Sequence, residues 1–451
     1  MNDEGAQYSS IRFDEGAIRM AKDTKVSLRQ SVIYQVYNRN HNKSGTFREL
    51  IGDLKRIKDL GVDILYLLPI HPIGIKDKKG VLGCPYSIRD YREINPEYGT
   101  LEDFKALIKA THACGMKLMI DVVYNHTSRD SKLLMNHPEW FYQNQNGEFA
   151  NRVGDWSDIT DLDYSKDLSL WDELIEILKY WAKLGVDGYR CDVASFVPVG
   201  FWIRARREIS EINPDFIWLA ESVDGGFIQG VRTHGYDVHS DSELYQAFDI
   251  CYDYDVYRYF KDYLLGKSSL SDYIKRVQMQ EYIYPSNYVK LRCLENHDQE
   301  RIASLVKSME QLKLWTTFVY LQKGATLIYG GQEALCTHTP SLFDIDKVDW
   351  SRYNEAGLAD LMVRLAELKK DDVMNGFYQL ELGEVFDTVC LAYETHEEKR
   401  VAIFNFGLKS GEISVNVPDG EYEDLITREM IVVYNGKVRL SAQPIIFDLK
   451  K

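Results

Sequence analysis

The sequence predicts a closed (β/α)8 barrel, the TIM-barrel architecture of the α/β class, followed by a smaller all-β domain. Three observations predict this fold. Amphipathic helical segments alternate with short apolar strands, eight such strands occur between about residues 31 and 370, and the pattern becomes purely β-like after about residue 372. We therefore expect a barrel domain over residues 1–371, with a short loop subdomain at about 127–167, and a C-terminal β-sandwich over residues 372–451.

The barrel segment repeats one order, in which an amphipathic helix ends at a glycine and an apolar strand follows. In "FRELIGDLKRIKDLG" the apolar residues have helical spacing, and Gly61 can close the helix in a left-handed C-cap before "VDILYLLPI". "TLEDFKALIKATHACG", with Thr100 and Asp103 at capping-box spacing, precedes "MKLMIDVVYNH". The same order returns in "LWDELIEILKYWAKLG" before "VDGYRCDVAS" and in "QLKLWTTFVYLQKG" before "ATLIYGGQE". The eight strand candidates are completed by "VIYQVY", "FIWLAES", "AFDICYDY" and "YVKLRCLENHD".

A doubly wound open sheet is the structural alternative, because it is also built from alternating strands and helices. No GxGxxG or GxxxxGK[ST] turn follows an early strand, which disfavours the doubly wound sheet.

In the C-terminal domain, turn residues separate five β-like segments, namely "VCLAYET", "RVAIFNFG", "GEISVNV", "EMIVVYNG" and "PIIFDLK".

Composition narrows the choice of partner and compartment. The net charge of −15 argues against nucleic acid and anionic membranes as partners, so a neutral ligand is expected. The N-terminus is acidic where a signal peptide needs a basic segment and an apolar core, and no later run reaches the length of a membrane span. The seven cysteines form no zinc-binding spacing. We therefore expect a cytoplasmic protein; the sequence leaves its oligomeric state open.

Polar residues gather at the C-terminal ends of four predicted strands. Each alone could be a cap, a loop hydrogen-bonder or an ion-pair partner, but the C-terminal ends of barrel strands meet on one rim, so together they indicate a site. The strand ends in question carry Asp121, Asn125, His126, Arg190, Asp192, Glu221, Glu295, Asn296, His297 and Asp298.

The composition of this rim favours carboxylate chemistry. No serine or cysteine nucleophile with a positioned base stands out, and the segment after the first strand offers only His41 in place of a paired HxH metal motif. A carboxylate nucleophile, a carboxylic acid facing it and a further carboxylate suit cleavage of a glycosidic bond through an oxocarbenium-like transition state.

Four short motifs occur in an order that resembles the α-amylase family, family 13 of the glycoside hydrolases. They are "DVVYNH" at 121–126, "GYRCDVAS" at 188–195, "LAES" at 219–222 and "ENHD" at 295–298, with a supporting "PYSIRDY" at 85–91. The resemblance covers about residues 31–370. It implies a retaining hydrolase that cleaves α-1,4-glucosidic bonds of malto-oligosaccharides or starch-like α-glucans.

The resemblance also implies roles for single residues. Asp192 corresponds to the nucleophile, which Arg190 would keep ionised and oriented, Glu221 to the general acid and base, and Asp298 to the third carboxylate, which binds sugar hydroxyls and helps to distort the ring.

Further positions match binding residues of the family. Tyr86 resembles the aromatic platform under a sugar ring, and His126 and His297 resemble hydroxyl-binding residues. Asn125 and Asp161 match side-chain ligands of a structural calcium ion, although the chemistry needs no metal and residues 127–167 are short for a complete site.

The sequence departs from the family pattern at one place, and two alternative functions stay open. Ser195 and Phe196 stand where many members carry a Lys-His pair, so a preference for long starch chains is not expected. The same motifs also fit a glucosyl transferase or isomerase. A non-catalytic carbohydrate-binding protein on this fold is the alternative of another class, and the complete carboxylate triad argues against it.

Overall fold

The computed structural model describes residues 21–152 and 156–451. Residues 1–20, on which the prediction of a missing signal peptide rests, lie outside the described residues, as do residues 153–155 of the predicted loop subdomain.

In chain order the strands of the described residues are β1 (Val32–Val36), β2 (Ile64–Leu67), β3 (Lys117–Val123), β4 (His126–Ser128), β5 (Ile159–Asp161), β6 (Gly188–Asp192), β7 (Ile217–Ala220), β8 (Ile250–Tyr252), β9 (Val289–Arg292), β10 (Ala325–Tyr329), β11 (Phe377–Leu382), β12 (Thr388–Glu394), β13 (Glu398–Asn405), β14 (Glu412–Ser414), β15 (Gly420–Glu423), β16 (Met430–Tyr434), β17 (Lys437–Arg439) and β18 (Ile445–Lys450). The α-helices are α1 (Asn38–His41), α2 (Phe47–Asp59), α3 (Leu101–Ala113), α4 (Lys132–Asn136), α5 (Leu168–Leu184), α6 (Val199–Ser210), α7 (Gly225–Thr233), α8 (Asp241–Leu244), α9 (Tyr254–Leu264), α10 (Leu270–Ile283), α11 (Ile302–Leu305), α12 (Met309–Leu321) and α13 (Leu358–Lys369).

Eight parallel strands close into a barrel in the order β1-β10-β9-β8-β7-β6-β3-β2. This confirms the predicted (β/α)8 fold and excludes the doubly wound sheet, which would leave two open edges. The strands are buried almost throughout, as expected for a parallel sheet covered by helices. The three strands β3, β6 and β7 are adjacent, so their C-terminal ends meet at one place on the rim.

Helix ends follow the signals in the sequence. The side chain of Thr46 caps α2 by accepting a hydrogen bond from the backbone N–H of Glu49, and Gly61 after this helix takes a left-handed φ of 82°. Thr100 and Asp103 form a reciprocal capping box at the start of α3, with aspartate in place of the usual glutamate. The loop between β3 and α5 contains only the two-stranded sheet β4-β5, the helix α4 and one 3-10 turn within its described residues.

The C-terminal part consists of two four-stranded antiparallel sheets, with the orders β11-β12-β13-β18 and β14-β17-β16-β15. This confirms the predicted all-β character. The sequence pattern missed three strands, β11, β15 and β17, because they are short or mostly exposed and lack a continuous apolar run. Among the described helices, none combines the length and hydropathy needed to cross a bilayer.

Aromatic side chains join the first of these sheets to the barrel. Trp315 of α12 stacks on Phe406, which follows β13, with ring centroids 3.8 Å apart. Phe318 of α12 meets Phe404 edge-on at 5.1 Å. All four side chains are fully buried. The barrel and the first C-terminal sheet therefore share a packed core.

We expect Phe406→Ala to lower the free energy of unfolding by about 3–5 kcal/mol, because it leaves a cavity against Trp315. Phe386→Ala is the matched control, since the Phe386 side chain is 71% exposed and its loss should cost below about 0.5 kcal/mol. Urea unfolding followed by tryptophan fluorescence measures both. Equal stabilities of the two variants would contradict this account of the junction.

Candidate active site

The polar residues at the strand ends surround one buried arginine. Arg190 lies in β6 and has no exposed surface. Its Nη1 donates to Asp121 of β3 at 2.9 Å and to Oδ1 of Asp192 at 2.8 Å. Its Nη2 lies 2.8 Å from Oε1 of Glu221, which directly follows β7; the N–H bonds do not point at that oxygen, so this contact is ionic and not a hydrogen bond. One guanidinium therefore contacts three carboxylates.

The strand geometry explains this meeting. Arg190 and Asp192 are two residues apart in β6 and therefore point to the same face of the strand. Asp121 is the register partner of Arg190 in the neighbouring strand β3. Asp192 and Glu221 are mostly buried, with side chains 8% and 12% exposed. The two carboxylates predicted to be nucleophile and acid thus share one volume at the mouth of the barrel.

Glu221 is held by the turn that follows β6. Its Oε2 accepts a hydrogen bond of 2.8 Å from the backbone N–H of Val193. Two backbone hydrogen bonds, from Glu221 to Cys191 and from Ala194 to Glu221, tie the same turn to the end of β7. Val193 has φ 42° and ψ 42°, a left-handed conformation that is strained for a β-branched residue. The strained turn aims an amide at the carboxylate.

Burial determines the titration of this cluster. Burial and the negative charge of Glu221 raise the pKa of Asp192 well above the ordinary aspartate value, although Arg190 opposes the rise. From Arg190 alone, the only charged neighbour that the sequence shows, an aspartate held in its ionised form is expected. Burial also raises the pKa of Asp121 to about 6, again against Arg190. The cluster holds more negative than positive charge.

A chain of hydrogen bonds connects His297 to this cluster. The amide of Gln35 contacts Nδ1 of His297 at 2.9 Å, and Nε2 contacts the hydroxyl of Tyr86 at 2.6 Å. Tyr86 in turn donates to Asp121 at 3.0 Å. Burial, assisted by the charge of Arg190, lowers the pKa of His297 to about 3. The ring is therefore neutral near pH 7 and can donate through Nε2.

The other predicted binding residues lie around the same mouth. The ring of Tyr86 stacks on that of His297 with centroids 5.4 Å apart, and Nε2 of His297 is 3.2 Å from Oδ2 of Asp298. The Asp298 side chain is 40% exposed, which leaves it accessible to a ligand. Burial lowers the pKa of His126 to about 4, and its ring lies 5.8 Å from that of Trp156.

A cleft of about 400 Å³ opens on the side of Glu221. Glu221 and Val193 form part of its wall, and aromatic side chains, among them Trp156, Phe227 and Tyr254, form much of the rest. The cleft is large enough for a small ligand and places it against the carboxylate of Glu221.

Sequence reasoning gave no role to several residues that the structure brings into the site. Asp121 was noted at a strand end, and its contact with Arg190 follows from the register of β3 and β6. Gln35 was detectable as the one polar residue in the strand "VIYQV". Tyr66, whose hydroxyl donates to Asp121 at 2.6 Å, is one of 30 tyrosines and had no distinguishing signal. Val193 acts through its backbone N–H, and this role cannot be predicted from the type of its side chain.

Within the residues that the structure describes, the contacts of Asn125 and Asp161 disfavour a calcium ion. Oδ1 of Asp161 is buried without a hydrogen-bond partner, but Oδ2 accepts from the backbone N–H of Arg152 at 2.7 Å, and the Arg152 guanidinium lies 3.6 Å from the same oxygen. The amide nitrogen of Asn125 contacts His126 at 3.2 Å. Within residues 21–152 and 156–451, no group of three or more His, Cys, Asp or Glu side chains is placed to hold a metal. Calcium needs six to eight oxygens, and here an arginine supplies the positive charge.

We therefore expect dialysis against EDTA to change the melting temperature by less than about 1 °C and to leave the catalytic rate unchanged. Thermal unfolding before and after dialysis measures the first quantity. A fall in the melting temperature that calcium reverses and magnesium does not would contradict this reading of Asp161 and Arg152.

Comparison with known proteins assigns both parts of the chain to families. Residues 33–137 and 132–376 match the model of the α-amylase catalytic domain. Residues 379–447 match the model of the bacterial α-amylase C-terminal domain.

Solved structures and curated sequences agree with the family models. The chain is 45% identical to an α-amylase from Lactobacillus plantarum, over 94% of this chain and 100% of that one, with a TM-score of 0.91. It is 31% identical to the maltogenic α-amylase AmyB from Thermotoga neapolitana, over 94% of this chain and 100% of that one, with a TM-score of 0.84. It is 24% identical to α-amylase 2 of Dictyoglomus thermophilum, over 94% of this chain and 72% of that protein. These matches confirm the resemblance seen in the sequence motifs: the chain belongs to the α-amylase family of glycoside hydrolases.

Proposed function

We propose that this protein is a retaining α-amylase that hydrolyses α-1,4-glucosidic bonds of malto-oligosaccharides or starch-like α-glucans. The observation that carries the proposal is the contact of Asp192 and Glu221 with the same guanidinium at the mouth of the barrel. A retaining mechanism requires two carboxyl groups about 5–5.5 Å apart across the scissile bond, and two groups that share one guanidinium can meet that spacing. A cytoplasmic location remains part of the proposal.

In the first step, an oxygen of Asp192 attacks the anomeric carbon, and the bond from that carbon to the glycosidic oxygen breaks. Glu221 gives its proton to the departing oxygen, so the shortened glucan leaves with a free hydroxyl. In the second step, Glu221 takes a proton from water, the water oxygen attacks the anomeric carbon, and the ester bond to Asp192 breaks. Two inversions leave the anomeric configuration unchanged.

The surrounding residues bind the sugar that reacts. Asp298 is exposed to the mouth and accepts hydrogen bonds from sugar hydroxyls. Neutral His297 donates to a sugar only if its Nε2 exchanges the hydroxyl of Tyr86 for a sugar hydroxyl. His126, held neutral by burial, lies beside Trp156, which lines the cleft on the Glu221 side. The backbone N–H of Asp298 donates to Oδ1 of Asn296 at 2.8 Å, which fixes the main chain from which the carboxylate projects.

The cleft on the Glu221 side receives the leaving group, because the general acid must reach the departing oxygen. Its two basic side chains are already matched by carboxylates: Lys261 pairs with Glu300 at 2.8 Å, and Arg258 lies 3.7 Å from Asp262. The cleft therefore suits a neutral sugar better than an anionic leaving group. Phe196, which stands where many members of the family carry the histidine of a Lys-His pair, packs edge-on against Phe227 with centroids 5.9 Å apart.

Transfer to a sugar acceptor is the second candidate function, and the same cleft favours it. Aromatic side chains stack on sugar rings and hold an acceptor in the place of water, so part of the glycosyl-enzyme would pass to sugars. A purely binding role is disfavoured because Asp192, Glu221 and Asp298 all face one mouth.

We expect the α-anomer as the first product from maltotetraose, observed by proton NMR before mutarotation. Asp192→Asn should lower kcat by about 10⁴-fold or more, because the attacking oxygen is lost. Asp172→Asn is the matched control, since Asp172 is a surface residue of α5 that pairs with Arg204. A β-anomeric product, or full activity of Asp192→Asn, would exclude the proposed mechanism.

Incubation with maltotriose separates hydrolysis from transfer. Hydrolysis gives maltose and glucose, whereas transfer gives maltotetraose and longer chains at high substrate concentration. We expect the shorter products to dominate below about 1 mM maltotriose, where acceptor binding is weak. Chromatographic sizing at two substrate concentrations measures the ratio, and a predominance of longer chains at both would establish the transferase.

For a substrate whose leaving group needs no acid, Glu221 can be ionised while Asp192 titrates, so the acidic limb of the pH profile should depend on Glu221. Asp192 attacks only when ionised, and the negative charge of Glu221 is one of the causes that raise the pKa of Asp192. In Glu221→Gln that charge is absent, so Asp192 stays ionised to lower pH and the acidic limb moves to lower pH. Single-turnover fluoride release from α-maltosyl fluoride measures this, because fluoride leaves without an acid. Glu208→Gln, a change on α6, should leave the limb in place; an unmoved limb in Glu221→Gln would contradict the coupling.

A further inference from the structure

The outer face of the second C-terminal sheet carries an apolar stripe. Met430, Val432 and Tyr434 alternate along β16 and are 57%, 55% and 71% exposed. The intervening Val433 points inward and is 1% exposed, in the core that the two sheets share. Three consecutive outward positions of a strand in the middle of a sheet are thus apolar, where an antiparallel sheet with one solvated face usually carries polar residues.

The strands on either side of the stripe carry opposite charges on the same face. On one side, Lys437 of β17 lies opposite Tyr434, and Arg439 is the next outward residue of that strand. On the other side, Glu421 lies opposite Val432, and Glu423 lies opposite Met430. The face is therefore ordered as basic strand, apolar stripe, acidic strand.

The outermost groups weaken this order without reversing it. Glu412 of β14 is the register partner of Arg439, and Arg428 pairs with Glu423 at 2.9 Å. Glu384 accepts from the backbone N–H of Ser414 at 3.1 Å and lies near Lys437, so the β17 side is close to neutral and the β15 side keeps one negative charge in excess.

We propose that this face binds a second copy of the same chain, with a two-fold axis parallel to β16. A two-fold axis in the plane of two facing sheets and parallel to the strands exchanges left and right across the stripe. The basic strand β17 of one copy then lies over the acidic strand β15 of the other, on both sides of the axis. An axis perpendicular to the strands would place β15 over β15, which is repulsive. The charge order therefore selects the first arrangement.

The size of the face determines the strength of the dimer. Four strands about 4.8 Å apart and five residues at about 3.3 Å per residue give a face of roughly 15 by 17 Å. Stable interfaces bury about 800 Å² on each partner, which is more than this face provides. The dimer is therefore weak, with a dissociation constant in the range of about 1 μM to 1 mM, and added salt weakens it further.

Sedimentation velocity on the full chain, from about 1 μM to 1 mM, tests the proposal. We expect concentration-dependent dimerisation in the wild type and at least a tenfold higher dissociation constant in Val432→Glu, because a charge would be buried in the stripe. Val81→Glu is the matched control, since Val81 is 73% exposed on a barrel loop, and it should dimerise as the wild type does. A monomeric wild type at about 1 mM, or an unchanged constant in Val432→Glu, overturns the proposal.

Charge reversal tests the direction of the axis. The double variant Lys437→Glu with Arg439→Glu should dimerise at least tenfold more weakly than the wild type. Adding Glu421→Lys and Glu423→Lys to the same chain exchanges the two flanks and should restore the dimer. If the variant with all four substitutions dimerises as weakly as the double variant, while its melting temperature is unchanged, the proposed axis is overturned.

Affinity electrophoresis in starch gels tests the remaining alternative. If the protein is monomeric and is retarded by starch, and Val432→Glu abolishes that retardation, the face binds glucan and not a second copy.

Discussion

The active-site geometry depends on one buried cation. A guanidinium without exposed surface is destabilising unless carboxylates surround it, and Arg190 has Asp121, Asp192 and Glu221 within about 3 Å. These three carboxylates come from or directly follow adjacent barrel strands, so the requirement to pair the arginine also fixes the positions of the two carboxylates that we propose as nucleophile and acid. Loss of one carboxylate would disturb the other two.

The same arrangement favours the charge change of the reaction. Three carboxyl groups surround one arginine, and burial, with a smaller contribution from the negative charge of Glu221, raises the pKa values of Asp192 and Asp121. As the glycosidic bond breaks, positive charge develops on the sugar ring. An excess of fixed negative charge stabilises that developing charge more than it stabilises the neutral substrate, and this difference is what lowers the barrier.

The sequence predicted the barrel and the set of strand-end residues because both depend on short-range patterns. Helix, glycine and apolar strand recur at regular spacing, and the ends of parallel strands must meet. The rest depends on contacts between distant parts of the chain. The link from Gln35 through His297 to Tyr86 joins β1, the end of β9 and a loop after β2, and the balance between burial and Arg190 at Asp192 needs three dimensions. The strands β15 and β17 lacked a signal because they are mostly exposed.

The turn after β6 shows why a strained backbone persists at this position. A left-handed β-branched residue costs on the order of 1–3 kcal/mol, which glycine would avoid. Glycine would also leave the turn free to rotate its amide away from the carboxylate. With Val193 fixed between Asp192 and Ala194, its N–H stays directed at Oε2 of Glu221 at 2.8 Å. The residue that follows the proposed nucleophile thus sets the orientation of the proposed acid, so the two carboxylates cannot move independently.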